Sequence, residues 1–326
     1  MTVANTSSFP RLMGDVGGTN ARFAVQESPG AQPTQVVTYP SIEFETFDDA
    51  LKAYVAQLTC PKPLQAAVGI ANPIVGDHVQ MTNFHWAFSI EAVRKELAFD
   101  RLLLINDFTA LALSLPSLQP EHLRRIGAAG TADPAGAIGL LGPGTGLGVS
   151  GLLHDTAGHL VPLGGEGGHV SLAAANVRED QVIAVLRDKF GHASAERALS
   201  GMGLVNLYEA LCTIDGVAAK ALDPAGVTTA ATAGSDVRCV EAVEIFFAFL
   251  GSVAGNLALT LGSRGGMYIG GGIVPRLGDW IDRSAFRERF IAKGRFREYL
   301  DGIPTWLIHA ETSPALIGAA RALDEL

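Results

Sequence analysis

The chain has 326 residues, of which 48% are hydrophobic and only 17% charged, with 38 glycines and a formal net charge of −9. A charged share below the usual ~25% and glycine above the usual ~7% describe a chain able to fill a large core, which excludes intrinsic disorder. The glycines follow no G-X-Y period, which excludes collagen, and a generic nucleic-acid binder carries the opposite sign of charge. Three widely spaced cysteines (Cys60, Cys212, Cys239) form no C-x-x-C pair, which argues against a disulfide framework or a cysteine zinc site and fits a reducing cytoplasm. The opening MTVANTSSFPRL has neither the basic start nor the apolar stretch of a signal peptide. Length suggests about two domains.

In chain order, Arg11 to Val25 runs from an apolar entry through a Gly-rich turn to an apolar exit and reads as a β-hairpin. A further strand is expected over Gln35–Tyr39, then a helix over Asp48–Leu58 with Leu51, Tyr54, Val55 and Leu58 on one face. Gln65–Ile70 is a short apolar strand ending at Ala71-Asn72-Pro73, and Ser89 is placed to cap a helix. Arg101–Ile105 is a continuous apolar run, as in a strand buried on both faces, and Phe108–Leu115 then reads as a helix up to Pro116. This alternation points to an α/β fold with a mostly parallel sheet.

Gln119–Ala137, rich in Pro, Gly and Ala, is a candidate boundary, and the second half opens as the first did. Gly139–Leu153 is again strand, Gly turn, strand, so DVGGTNARFAV and GPGTGLGVSGL suggest a duplicated, two-lobed architecture. Helices are expected over Asp180–Phe190 and Gly203–Leu211. Ile245–Leu261 is apolar enough to be mistaken for a membrane span, but it falls short of ~20 residues and contains Gly251, Ser252, Gly255, Asn256 and Thr260. A buried core helix is expected there, and no membrane partner. A strand at Met267–Ile269, a basic amphipathic helix over Arg283–Arg297, a strand near Trp306–Ile308 and a final helix over Pro314–Leu326 complete the pass.

Four spans, 14–18, 142–151, 164–168 and 262–272, hold 18 of the 38 glycines. Small residues let backbone N–H groups approach an anion and permit tight turns. One cluster alone reads equally as a set of turns; four together point to phosphate binding. There is no P-loop, since no lysine follows a glycine, and the single G-x-G-x-x-G match, Gly146 to Gly151, falls inside an expected hairpin rather than between strand and helix.

Asp107 follows a buried strand and precedes a helix, where ligands sit in open α/β sheets. A carboxylate there can accept a proton from a hydroxyl; it can also serve as a helix N-cap, or do both. Glu166 and His169 share a Gly-rich loop, GGEGGHV. With Glu196 they make a weak metal set but good partners for sugar hydroxyls. Glu196 alone reads as a solvated helix residue, and the Arg283–Arg297 stretch as a surface helix with a buried aromatic face.

Taken together, GDVGGTNARFAV, GIANPIVGDHVQMTNFHWAFSI, LLLINDFTALALSLP, LLGPGTGLGVSGL, PLGGEGGHVSL, ERALSGMGLVNLYEAL, MYIGGGIVPRL, KGRFREYLDGIPTWLI and TSPALIGAARAL resemble the bacterial glucokinases of the non-ROK hexokinase type, within the actin-like ATPase superfamily. These segments lie in the family's order from Gly14 to Leu323. The ROK alternative predicts a Cys-rich zinc motif, which is absent here. Its repressors also carry an N-terminal DNA-binding domain, for which the early first hairpin leaves no room.

The resemblance implies an α/β, two-lobed actin-like ATPase (ribonuclease H-like) fold with duplicated α/β domains and a cleft that closes over sugar. The small domain is expected at 1–117 plus about 310–326 and the large domain at 118–309. It implies transfer of a phosphoryl group from ATP to the 6-hydroxyl of D-glucose, with Mg²⁺, in a cytoplasmic homodimer feeding glycolysis. Asp107 then matches the catalytic base and Asn106 the neighbour holding adjacent sugar hydroxyls. Glu166, His169 and Glu196 match the groups around the anomeric side and the 2- and 3-hydroxyls. Asn72 and Asn83 lie in loops approaching the sugar. Asp15, Gly17, Gly18, Thr19 and Asn20 match the first phosphate hairpin, with Asp15 near Mg²⁺, and Gly144, Thr145 and Gly146 match the second. Gly271 and Gly272 lie beside adenosine. Ala71, where relatives often have Gly, is a small departure. A related ATPase would not need the sugar set, and a sugar sensor would not need Asp15 or Asp107. A kinase for another hexose or an amino sugar is the nearer alternative.

Overall fold

The fold is seen in a computed structural model that describes residues 9–82, 84–127, 130–310 and 312–326. The chain divides into two compact units, one running up to Gln119 and including Ala310–Leu326, the other Pro120–His309.

In the first unit, β1 (Arg11–Val16) and β2 (Asn20–Gln26) form the hairpin expected from their Gly-rich turn, in register from Arg11 opposite Gln26 to Val16 opposite Ala21. The strand β3 (Thr34–Pro40) adds to β2 and forms the sheet edge, with alternately exposed residues. Then comes α1 (Phe47–Ala56), whose N-cap Thr46 accepts from the Asp49 N–H and whose face of Phe47, Ala50, Leu51 and Tyr54 is buried. The strand β4 (Gln65–Ile70) is followed by a small hairpin, β5 (His78–Gln80) and β6 (Ala87–Ser89), which the sequence did not announce. Ser89 caps α2 (Ile90–Glu96), accepting from the Ala92 N–H at 3.1 Å. β7 (Arg101–Asn106) leads directly into α3 (Asp107–Ser114). The sheet order is β3-β2-β1-β4-β7, with β1, β4 and β7 mutually parallel.

The second unit repeats this plan. After β8 (Leu123–Ile126), the hairpin β9 (Ile138–Pro143) and β10 (Leu147–His154) is extended antiparallel by β11 (Leu160–Leu163). The helices α4 (Val177–Phe190), α5 (Gly201–Ile214), α6 (Pro224–Thr232) and α7 (Val237–Leu261) follow. Then come β12 (Gly266–Ile269), the short helices α8 (Ile273–Arg276), α9 (Trp280–Arg283), α10 (Phe286–Ile291) and α11 (Arg297–Asp301), and β13 (Thr305–Ile308). The order β11-β10-β9-β12-β13-β8 reproduces the first sheet, with β8 added antiparallel at the far edge. Two hairpins read from sequence thus mark two copies of one sheet topology.

Among the described residues, α7 is the one helix long and apolar enough to cross a membrane, and it is mostly buried. Its small residues have a packing reason. A Cβ at Gly251 or Gly255 would run into the carbonyl oxygens of Phe286 and Phe290, so the backbone of α10 lies directly on α7. The basic stretch does not form the single helix expected of it. The helix stops at Ile291, Gly294 takes a left-handed φ of 55°, and a 3-10 turn over Gly294–Phe296 leads into α11. Phe286 and Phe290 are fully buried, whereas Phe296 and Tyr299 are exposed, so the aromatic face ends at the break.

The last helix, α12 (Ala315–Glu325), belongs to the first unit. Leu316, Ala319, Ala320 and Leu323 pack on Met13, Ala24 and Ala67 of the first sheet. Arg11 pairs with Asp324 at 2.6 Å, and Arg101 donates to the Leu323 carbonyl at 2.9 Å. Gly318 meets α3 backbone to backbone at Ala110.

Candidate active site

In the first unit, Val16, Ile70 and Asn106 are neighbours across β1, β4 and β7, so three parallel strands end level. Ligands of open α/β sheets sit beyond such carboxyl ends. The β1–β2 turn is closed by the Gly17 N–H donating to the Asn20 carbonyl at 2.9 Å. From outside, Ser41 donates its hydroxyl to the Gly17 carbonyl and its N–H to the Thr19 carbonyl. Asp15 faces Arg22 across the hairpin at 3.3 Å, and Thr19 is exposed at the tip with Gly18 half-buried beside it.

At the end of β7 the structure separates two roles. The helix cap is Asn106: its Oδ1 accepts from the N–H groups of Phe108 (2.9 Å) and Thr109 (3.1 Å). Asp107 is the first helical residue, so the capping reading of Asp107 gives way to its neighbour. The Asp107 Oδ1 accepts from the Asn106 Nδ2 at 3.1 Å and from the Phe108 N–H at 2.9 Å. Both residue types cap well, and only the backbone angles decide which does. Asn72, after β4, is 8% exposed, and its polar atoms are engaged within the loops. Its Oδ1 accepts from the N–H and hydroxyl of Thr82, and its Nδ2 donates to the Pro73 carbonyl. It therefore clamps the loop leading to Asn83, which lies outside the described residues.

In the second unit, β9 and the parallel β12 end together, and their loops touch through backbone. The Gly270 N–H donates to the Leu141 carbonyl, and Gly271, at φ 76°, leaves no room for a Cβ against the Pro143 carbonyl oxygen. Gly272 follows at the start of α8. The turn Gly144-Thr145-Gly146 closes with the Gly144 N–H on the Gly146 carbonyl at 2.8 Å, Thr145 being exposed. The match at Gly146–Gly151 indeed runs along a hairpin strand.

The GGEGGHV loop makes a 3-10 turn over Gly167–His169, with Glu166 and His169 exposed. Gly167 and Gly168 lie flat on β10, where a Cβ would meet the Val149 side chain and the Leu147 carbonyl. Glu196 lies in a turn between strand bridge and helix, half-buried, rather than on a solvated helix. Its N–H donates to the Gly168 carbonyl (2.9 Å) and its Oε2 accepts from the Leu147 N–H (2.8 Å). The structure thus brings Gly144–Gly146, Gly168 and Glu196 together, with Gly271 beside them. Sequence reasoning missed the α5 N-terminus at this place: the Gly201 N–H donates to the Gly144 carbonyl, and Ser200 caps the helix. The signal was present as a Ser followed by a Gly and an apolar helical pattern.

Among the described residues no three His, Cys, Asp or Glu are placed to hold a metal ion together. Two sheets of this one topology, each with glycine turns at its strand ends, belong to the actin-like ATPase fold, the class that includes the sugar kinases. The comparisons narrow this. The Glucokinase family model matches residues 12–326. The chain is 53% identical to the glucokinase of Aromatoleum aromaticum over 99% of this chain and 97% of that one, and 51% identical to that of Chromobacterium violaceum over 100% and 92%. A glucokinase structure from an Antarctic psychrotroph superposes with a TM-score of 0.88 at 37% identity, covering 97% of this chain and 99% of that one. The chain belongs to the glucokinase family and catalyses the ATP-dependent phosphorylation of glucose.

Proposed function

We propose that Asp107 is the base of this reaction. The observation that carries the reading is its placement: a carboxylate on the first residue of α3, at the carboxyl end of a parallel strand, with one oxygen fixed by the Asn106 amide and the Phe108 N–H. A carboxylate so oriented aligns the sugar 6-hydroxyl and takes its proton as the new O–P bond forms, while the β–γ bridging oxygen departs with ADP. Asn106 holds a neighbouring hydroxyl as well as the helix end. Asn72 holds Thr82 in the loop that approaches the sugar, and Asn83 contributes to sugar binding. Glu166, His169 and Glu196 bind the remaining hydroxyls, which both donate and accept.

The backbone of the Gly17–Asn20 and Gly144–Gly146 turns receives the phosphates, and Gly271 and Gly272 lie beside adenosine. One carboxylate, Asp15, suits Mg²⁺ that arrives on ATP, since this ion keeps its waters and substrate phosphates as ligands and needs no protein cage. Bound with ATP, the ion would neutralise charge on the phosphate oxygens, and Asp15 is the residue that would hold it. We extend the reading to a cytoplasmic homodimer acting without nucleic acid or membrane.

A coupled assay for sugar 6-phosphate across hexoses tests the substrate. Hydrogen-bonded hydroxyls discriminate more strongly than an apolar pocket does, so glucose is expected to exceed galactose in kcat/KM by a hundredfold or more, on the order of the loss from unpaired polar groups. Equal values, or preference for an amino sugar, contradict the glucose assignment.

A further inference from the structure

The Gly144–Gly146 turn carries no charged side chain, and two contacts from outside the hairpin hold it. One is the Gly201 N–H on the Gly144 carbonyl; the other is the Glu196 carboxylate on the Leu147 N–H at 2.8 Å. A Cβ at position 146 would run into the same carboxylate oxygen, so turn and carboxylate are fitted to each other. Glu196 is itself fixed by backbone. Its N–H donates to the Gly168 carbonyl, and its carbonyl accepts the Ser200 hydroxyl at 2.9 Å. Gly168 in turn lies against the Leu147 carbonyl. The second oxygen, Oε1, has no hydrogen-bond partner among the described residues.

We propose that Glu196 is a positioning residue for the nucleotide as well as a sugar contact. Its Oε2 sets the phosphate turn through the Leu147 N–H, and its Oε1 remains for a sugar hydroxyl. This rests on the reading of Gly144–Gly146 as a phosphate cradle. A hydrogen bond to a charged acceptor in a half-buried place is worth more than a neutral one, and here it restrains a turn of glycines with wide conformational freedom. Removing it lets the turn sample other shapes, and nucleotide binding then bears the ordering cost.

The test is MgADP affinity measured by calorimetry on sugar-free protein, where a role confined to the sugar has no effect. Glu196→Ala is expected to weaken MgADP binding about tenfold. Glu196→Gln, whose amide oxygen still accepts from Leu147, is expected to stay within about threefold of the parent. Glu196→Met, which keeps the side-chain volume, replaces alanine if that variant does not fold. Gly144→Val is the control for the cradle, because nothing lies within 4 Å of a Cβ at Gly144. If Gly144→Val leaves MgADP affinity unchanged, the cradle reading fails. If Gly144→Val weakens binding while Glu196→Ala leaves it unchanged or tightens it, the cradle stands and the role of Glu196 is overturned. Equal losses in Glu196→Ala and Glu196→Gln also overturn it, since the retained acceptor then does nothing.

Discussion

Gly318→Ala is the most informative perturbation of the scaffold beneath Asp107. A Cβ at 318 would come 2.6 Å from the Ala110 carbonyl carbon and 3.1 Å from the Ser114 nitrogen, and into the Ala110 oxygen itself. Carbon atoms settle at about 3.5–4.0 Å from one another and only slightly nearer to oxygen, so with the Ala110 oxygen as the first obstacle α12 and α3 must separate by well over ~1 Å. The obstacle is backbone, which has no rotamer to change. The shift also loosens Leu316, Ala319, Ala320 and Leu323 from the sheet. Overpacking typically costs about 1–3 kcal/mol, and a backbone obstacle places this case at the upper end. A loss of about 3 kcal/mol corresponds to a melting temperature lower by roughly 6–12 °C.

The same shift reaches the site. Against the sheet, Gly69 already brings β4 so close to α3 that a Cβ there would lie 3.0 Å from the Ala110 Cβ. Pushed from α12, α3 has little slack and tilts at its first residue, Asp107. A misplacement of about 1 Å in a reacting group can cost up to ~10² in rate, so kcat is expected to fall at least tenfold well below the melting temperature. Differential scanning fluorimetry and the coupled kinase assay at 20 °C, about the middle of the stable range, measure both. A melting point within about 2 °C of the parent with kcat within twofold, on the order of experimental scatter, refutes the packing account.

Asn106→Ala removes the α3 cap and one donor to Asp107; the cap is worth about 1 kcal/mol, so the melting temperature is expected to fall only about 2–4 °C while kcat falls much further. Comparable small losses in both would show that Asn106 only caps. Buried Glu179 tells of acid stability. Burial pushes its carboxyl up, but Arg289, the Ala175 N–H and Asn176 outweigh this and hold it below its ordinary value of 4.5. Its stabilisation is therefore complete above about pH 4.5 and is lost as pH falls below that through its lowered value. Glu179→Gln strands Arg289 in a nearly buried place, at a cost of about 3–5 kcal/mol near neutral pH, and flattens the acid limb of a melting series. An unchanged acid limb would exclude Glu179 as its source.

Much of the sheet was legible because strands buried on both faces leave a local mark. Gln65–Ile70, Arg101–Ile105 and Gly139–Leu153 are apolar runs closed by Gly, Asn or Pro, and each lies where expected. What escaped depends on contacts between distant residues. Glu196 reaches Leu147 across 49 positions, a distance no periodicity reports. The role of Gly318 lies in how closely α12 approaches α3, and a glycine in a helical pattern does not announce its partner. The Arg283–Arg297 stretch has helical spacing throughout, but Lys293 extends to the Ser252 carbonyl and Gly294 turns the chain. Tertiary packing there overrides the pattern. At Asn106-Asp107 two good capping residues stand side by side, and the sequence leaves both readings open.

If Asp107 takes the proton from the 6-hydroxyl, its removal slows the chemical step itself. Steady-state kinetics of Asp107→Ala in the coupled glucose 6-phosphate assay, at saturating glucose and MgATP, measure this. A general base contributes about 10²–10⁴ in rate, so kcat should fall by that factor while the melting curve stays that of a folded protein. Turnover near that of the parent would contradict the account.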